Sequence, residues 1–110
     1  MENCLFCKII KGEIPSNKVY EDEKTYAFYD ISPQAPTHIL VIPKIHVSSL
    51  NELEDVSVMS DIYNAVRNIV QELGIKEYRT VINTGADAGQ TVFHIHLHIL
   101  AGRPLLWPPG

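Results

Sequence analysis

Near its C-terminal end the chain sets three histidines at alternate positions, His94-Ile95-His96-Leu97-His98, inside the run Thr91 to Leu100. The residues between the histidines are β-branched or apolar, so the run reads as a strand. Strand side chains alternate between faces. Ile95, Leu97 and Ile99 therefore point toward a core, and His94, His96 and His98 form a row on the other face. Successive histidines in such a row stand roughly 6.5–7 Å apart, twice the strand rise. That spacing either lines three imidazoles along one ligand or divides them between two neighbouring sites. Packing alone poorly explains three histidines in register, because clustered titratable groups mark sites.

The rest of the chain suggests what surrounds this strand. Lys18 to Glu21 and Thr25 to Tyr29 read as two short strands joined by Asp22-Glu23-Lys24, a hairpin. Pro33 and Pro36 make Asp30 to Thr37 a loop, and His38 to Pro43 is a buried strand stopped by its proline. From Asp55 to Leu73 the pattern is helical. Met59, Ile62, Tyr63, Val66, Ile69, Val70 and Leu73 recur at three and four, Asp55 or Ser57 can cap the start, and Gly74 sits where a C-terminal glycine belongs. Arg79 to Asn83 reads as a further strand, and Cys4 to Lys11 as a short helical or turn segment. The tail 102–110 is irregular. The expectation is a single α+β domain over residues 1–110, an antiparallel sheet of about five strands with one long helix on a face.

Composition limits the function. The 110 residues carry a net charge of −4 with no Lys/Arg cluster, so a nucleic-acid polymer is not the expected partner. No apolar stretch reaches the length of a membrane span, and no N-terminal segment reads as a signal peptide. Two cysteines three apart, without a secretion signal, point to metal or redox chemistry and a cytoplasmic location. Cys4-Leu5-Phe6-Cys7 is half of a tetrahedral zinc site; the other half would have to come from histidines, with His46 and His94 the candidates. Two reduced cysteines beside a loop histidine is the alternative.

Gly85 and Gly89 permit positive φ, so the loop before the triad could turn consecutive N–H groups toward one anion, helped by Gln90 and Thr91. A neutral imidazole beside such a nest can attack phosphorus and leave as a phosphoramidate, while neighbouring histidines handle charge and protons.

Four motifs in order resemble the histidine-triad nucleotide hydrolases, Hint branch: His94 to Ile99, Asp30-Ile31-Ser32-Pro33-Gln34-Ala35-Pro36-Thr37-His38, Asn83 with Gly89-Gln90-Thr91, and Trp107-Pro108-Pro109-Gly110. The resemblance spans essentially the whole chain. It implies a homodimer that hydrolyses purine nucleoside 5′-phosphoramidates, including aminoacyl adenylates, through a nucleotidyl-histidine. It implies His96 as nucleophile, His98 on phosphate, His38 as the fourth histidine of the relay, and Thr91 beside them. Asn83, Gly89, Gln90 and Thr91 would contact phosphate, Asp30 ribose, and Leu5, Phe6, Ile9, Phe28, Ile31 and Leu40 the base. Trp107 would reach the partner subunit's site. Animal Hint proteins have serine where Thr91 stands and lack the Cys4/Cys7 pair. Many prokaryotic relatives keep the pair, and a related uridylyltransferase family uses an equivalent pair with the first triad histidine. The resemblance therefore implies structural zinc at Cys4, Cys7, His46 and His94, and no organic cofactor. Two other readings compete: a metal-dependent phosphohydrolase with the triad as catalytic ligands, and a nucleotide-binding scaffold with little turnover. No Asp or Glu other than Asp87 is near the triad in sequence, which weighs against the first.

Overall fold

In the computed structural model, residues 3–110 are described; Met1 and Glu2 lie outside the described residues. The elements are α1 (Leu5–Ile10), β1 (Lys18–Glu21), β2 (Thr25–Tyr29), β3 (Thr37–Pro43), α2 (Ser57–Leu73), β4 (Arg79–Val81) and β5 (Leu97–Ala101). The strands form one antiparallel sheet in the order β1-β2-β3-β5-β4. β3 is central and almost wholly buried, as a strand covered on both faces must be.

Alternation assigns the two faces. Ala27, Ile39, Val41, Leu97 and Ile99 pack against Val58, Ile62, Ala65, Val66, Ile69 and Val70 of α2. Each large aliphatic side chain buried there contributes about 1.5–3 kcal/mol. On the opposite face Tyr26, Phe28, Leu40 and Ile42 pack against Phe6 and Ile9 of α1. His38 alternates in phase with Leu40 and Ile42, and His98 stands opposite Leu40 in the β3–β5 register. The histidines therefore lie on the α1 face.

α2 buries a stripe shifted from the one expected. Val58 and Ala65 are in the core, whereas Tyr63 and Leu73 are exposed at its margins. Asp55 accepts from the Ser57 N–H at 3.0 Å, so it satisfies a free donor at the helix start. Gly74 ends the helix at φ 68°, and Ile75 N–H returns to Val70 O at 2.8 Å.

Two expected strands are shorter than their patterns. β4 ends at Val81, not Asn83, and β5 starts at Leu97, not Thr91. The β3–β5 register pairs Val41 with Leu97, which places Pro43 level with Ile95. Proline has no N–H to donate, and Pro43 O is taken by the His94 ring at 2.8 Å. Residues 91–96 therefore lack a ladder partner, and Ile95 N–H bonds to Val47 O at 2.7 Å instead.

Candidate active site and metal centre

The triad is divided between two neighbouring sites. His94 is fully buried and turns toward Cys4, Cys7 and His46, while His96 and His98 face each other with ring centroids 5.0 Å apart. His38 joins them from β3.

Hydrogen-bond partners assign the tautomers. His96 Nδ1 is 2.8 Å from His94 O. A carbonyl only accepts, so Nδ1 carries the hydrogen and Nε2 keeps its lone pair. His38 Nδ1 accepts the Gln34 N–H at 3.0 Å, so its Nε2 carries the hydrogen and donates to His98 Nδ1 at 2.9 Å. His98 Nε2 must then carry a hydrogen, and that atom is buried with no partner among the described residues. The site thus presents one free imidazole lone pair and one unspent N–H donor.

All three rings are held neutral. Burial lowers His96, against the opposing pull of its bond to His94 O and the Asp30 charge. Burial pushes His98 down to about 4, with His96 and His38 acting in the same direction and Asp30 opposing. Burial also lowers His38, which Asp30 partly offsets.

Asp30 reaches this group from the loop before β3. Its Oδ2 is 3.5 Å from His38 Nε2, and its Oδ1 accepts the Ser32 N–H at 2.8 Å. Asp87 is the acidic residue near the triad along the chain, but it is Asp30, distant in sequence, whose charge acts on His96 and His98 in the fold. Asp30, His38 and His98 could in principle share a cation. The 2.9 Å separation of the two ring nitrogens is a hydrogen bond, shorter than the about 3.3 Å edge between two nitrogens around tetrahedral zinc.

Phe6 floors the site. It meets His96 edge-on at 5.1 Å, His94 at 5.9 Å and Phe28 at 5.6 Å. Ile9, Phe28 and Leu40 are buried in the same cluster. Leu5, 43% exposed, and Ile31, 95% exposed, stand outside the cluster.

The glycine loop does not form the expected anion nest. Gly85 and Gly89 do have positive φ, but the N–H groups of Ala88, Gly89 and Gln90 close on Gly85 O and Ala86 O within the loop. The Gln90 amide accepts from Gly85 N–H at 2.9 Å and donates to Ser48 O at 2.7 Å and Val92 O at 3.1 Å. Both of its hydrogens are spent on the protein, so its side chain staples the loop rather than offering a phosphate contact. Asn83 lies against Gly89, where an added Cβ would come within 3.3 Å of its Nδ2. Thr91 is exposed at the start of the segment leading to the histidines. Trp107 is 81% exposed on the tail. Sequence reasoning missed the roles of Gln34 and the Pro43 carbonyl, since a main-chain group leaves no mark in residue type.

The four expected metal ligands converge. Cys4 Sγ is 3.4 Å from His94 Nδ1, Cys7 Sγ 3.4 Å from His46 Nδ1 and 3.6 Å from His94 Nδ1, and the two Nδ1 atoms are 3.2 Å apart. Tetrahedral zinc, with bonds near 2.3 Å to sulfur and 2.0–2.1 Å to nitrogen, implies ligand–ligand edges of about 3.3–3.8 Å. His94 Nε2 donates to Pro43 O, leaving Nδ1 as the ligand atom, and burial pushes the ring down to about 4, so it is neutral at pH 7. Cys7 N–H donates to Cys4 Sγ at 3.3 Å. Four protein ligands fit a closed, structural zinc site.

Comparison with known proteins adds independent findings. The HIT domain model matches residues 11–105. A purine nucleoside phosphoramidase of Escherichia coli (strain K12) is 46% identical over 108 residues, 94% of this chain and 91% of that protein. A 14 kDa zinc-binding protein of Zea mays is 47% identical over 111 residues, covering 96% of this chain and 87% of the maize protein. The crystal structure of a HIT family hydrolase from Legionella pneumophila Philadelphia 1 superposes with a TM-score of 0.93 at 48% identity, over 98% of this chain and all of that one.

Proposed function

The chain belongs to the HIT-domain family, and from that premise we propose that it hydrolyses the P–N bond of purine nucleoside 5′-phosphoramidates through a nucleotidyl-His96 intermediate. Its relatives include HIT family hydrolases. The observation that carries the reading is the division of protons among three imidazoles. His96 Nε2 has a free lone pair, and His98 Nε2–H is unspent beside it.

In the first step His96 Nε2 attacks the α-phosphorus. A P–N bond to His96 forms as the bond to the leaving amine breaks, and the departing nitrogen takes its proton from solvent on the Thr91 side of the site, so that His98 keeps its Nε2–H. The His94 carbonyl, bonded to Nδ1–H, stabilises the positive charge that develops on the ring. In the second step water attacks phosphorus, the P–N bond to His96 breaks, the proton lost by the water returns to solvent, and the nucleoside monophosphate is released. His98 Nε2–H would stabilise the phosphoryl oxygens in both steps, and the His38 bond holds it in that tautomer. Asp30 would hold ribose, and Phe6 with its apolar neighbours the base. Gly89 and Asn83 would shape the phosphate side, with Trp107 supplied by the partner of a homodimer.

Zinc held by Cys4, Cys7, His46 and His94 would be structural, tying α1 and its Phe6 to the sheet. The maize relative's name supports it from sequence, and the ligand spacing from geometry.

The test is a kinetic survey of nucleoside phosphoramidates with rapid quench and mass spectrometry. We expect an acid-labile adduct on His96 and loss of turnover in His96→Ala. Wild-type turnover in that variant, with no adduct, would refute the nucleophile. Turnover that needs added metal beyond one zinc per chain would favour the metal-dependent alternative.

A further inference from the structure

We propose that Arg103 is a positioning residue that holds His38 in the tautomer its bond to His98 requires. The tautomer argument stands on geometry; its kinetic consequence rests on the catalytic reading above.

The Arg103 guanidinium directs two donors at one acceptor. Nε–H and Nη2–H reach Gln34 O at 3.2 and 2.9 Å, and Nη1–H reaches Pro104 O at 2.9 Å. Among the described residues it makes no ion pair. All of its bonds go to main-chain carbonyls, as befits a strut. Its target is the residue whose own N–H donates to His38 Nδ1 at 3.0 Å. The Gln34 amide adds a bond to Ser32 O at 3.0 Å, so the loop tip is tied on either side of the donor.

The chain leaving β5 is shaped to deliver this arginine. Gly102 has φ +97°, and a Cβ there would lie 2.8 Å from Pro36 Cβ. Only glycine allows both that turn and that approach. The base of the loop is closed separately, by Asp30 N–H to His38 O at 3.0 Å. Arg103 therefore acts at the tip, while the backbone at the base of the loop is held without it.

Losing the clamp has a defined chemical result. With the Gln34 N–H withdrawn, His38 Nδ1 is free to take the hydrogen. Its Nε2 then becomes an acceptor facing the acceptor His98 Nδ1, at a distance now 2.9 Å. Two lone pairs at that distance repel, and the relay is broken unless His98 changes tautomer as well. That change would strip the hydrogen from His98 Nε2, the donor left for substrate.

The experiment compares wild type, Arg103→Met and Arg103→Lys, each with its metal retained. Methionine keeps an apolar stem and removes every donor; lysine keeps charge and one donor group without the planar fork. Long-range 1H–15N spectra read the imidazole tautomers, and steady-state kinetics separate kcat from KM. We expect His38 as the Nε2–H form in wild type and a mixture in Arg103→Met. In Arg103→Met we expect kcat to fall about ten-fold, a fraction of what acid–base groups supply, with KM within about two-fold. Lysine should recover part of both signals. An unchanged His38 tautomer in Arg103→Met overturns the proposal, as does a rise in KM that accounts for the whole loss. Should the methionine variant fail to fold, a lysine variant identical to wild type in tautomer and kcat overturns it. A wild-type protein without phosphoramidate turnover, whose His38 tautomer still shifts in Arg103→Met, would remove the catalytic reading and leave the positioning role.

Discussion

Gln90 is 2% exposed, and its amide makes three bonds to the main chain across the loop before the histidines. Removing it leaves the Gly85 N–H and two carbonyls unpaired, at about 1–3 kcal/mol for each group that stays buried. Gln90→Ala should therefore lower the midpoint of urea unfolding clearly, while the KM for a phosphoramidate changes less than kcat. A stable variant with a large rise in KM alone would return the residue to the phosphate site. His98 yields a pH prediction. Burial, helped by its histidine neighbours, pushes it down to about 4, whereas an unfolded imidazole titrates near 6.5. Between those values the unfolded chain binds the extra proton. The stability contributed by neutral His98 is thus intact above about pH 6.5 and is lost as pH falls toward about 4. Unfolding free energy measured from about pH 7 to 5 should fall less steeply in His98→Asn, which has no such proton to take up; equal slopes would refute this. At this scale the sequence singled out side chains that the fold does bring together, His38 with His96 and His98, and Cys4 and Cys7 with His46 and His94. It did not reveal which of them the protein itself would consume, because hydrogen-bond partners come from segments far away in the chain.

β5 shows the same limit among elements. Its alternating pattern correctly separates Leu97 and Ile99 on the α2 face from His98 on the other. The pattern runs back to Thr91, yet the ladder stops at Leu97, because the partner strand ends in Pro43. Periodicity records which way side chains point and says nothing of whether the neighbouring strand has a donor left. The β1–β2 hairpin was legible to its end residues, since Asp22 signals its turn locally. Asp22 Oδ1 accepts from Lys24 N–H, Thr25 N–H and Thr25 Oγ1 at 2.8–2.9 Å. Its Oδ2 accepts from Tyr20 OH at 2.8 Å, and that hydroxyl in turn accepts from Asn68 of α2 at 2.9 Å. One carboxylate thereby links the turn to the helix. Burial tends to raise its pKa, but the bonds from Thr25, Lys24 and Tyr20 outweigh this and hold it below the usual carboxylate value. Its stabilising effect is present above about pH 4 and lost as pH falls through the lower folded value. Asp22→Ala should cost about 1–3 kcal/mol at neutral pH. Thermal unfolding at pH 7 measures it, and a shift in midpoint too small to resolve would show the turn is held by other means.

For the molecule as a whole, a broad groove lies away from the histidines. About 940 Å³ opens between the α2–β4 turn and the start of the tail, lined in part by Ile75, Tyr78, Arg79, Arg103 and Leu105. It borders β4, an edge strand with an unpaired side. The tail beside it is held open. Arg79 Nη2 donates to Leu105 O and Leu106 O, both at 3.1 Å, which fixes the backbone while Leu106 and Trp107 stay 75% and 81% exposed. Apolar side chains presented on an anchored backbone are costly in water and suit a partner surface. A two-fold dimer would supply it, because a symmetric contact brings each tail to the other copy. The chain has a single tryptophan, so its fluorescence reports on this residue alone. Dilution from micromolar to nanomolar concentration should shift the Trp107 emission toward that of an exposed indole, in step with dissociation seen by sedimentation. Arg79→Ala frees the tail and should weaken the dimer without disturbing the zinc content, since Cys4, Cys7, His46 and His94 lie in other segments. Deleting residues 105–110 should alter the preference among leaving amines more than the turnover of the best substrate. A protein that sediments as a monomer at micromolar concentration, with emission independent of dilution, would mean that the tail faces solvent and that each site works with one chain.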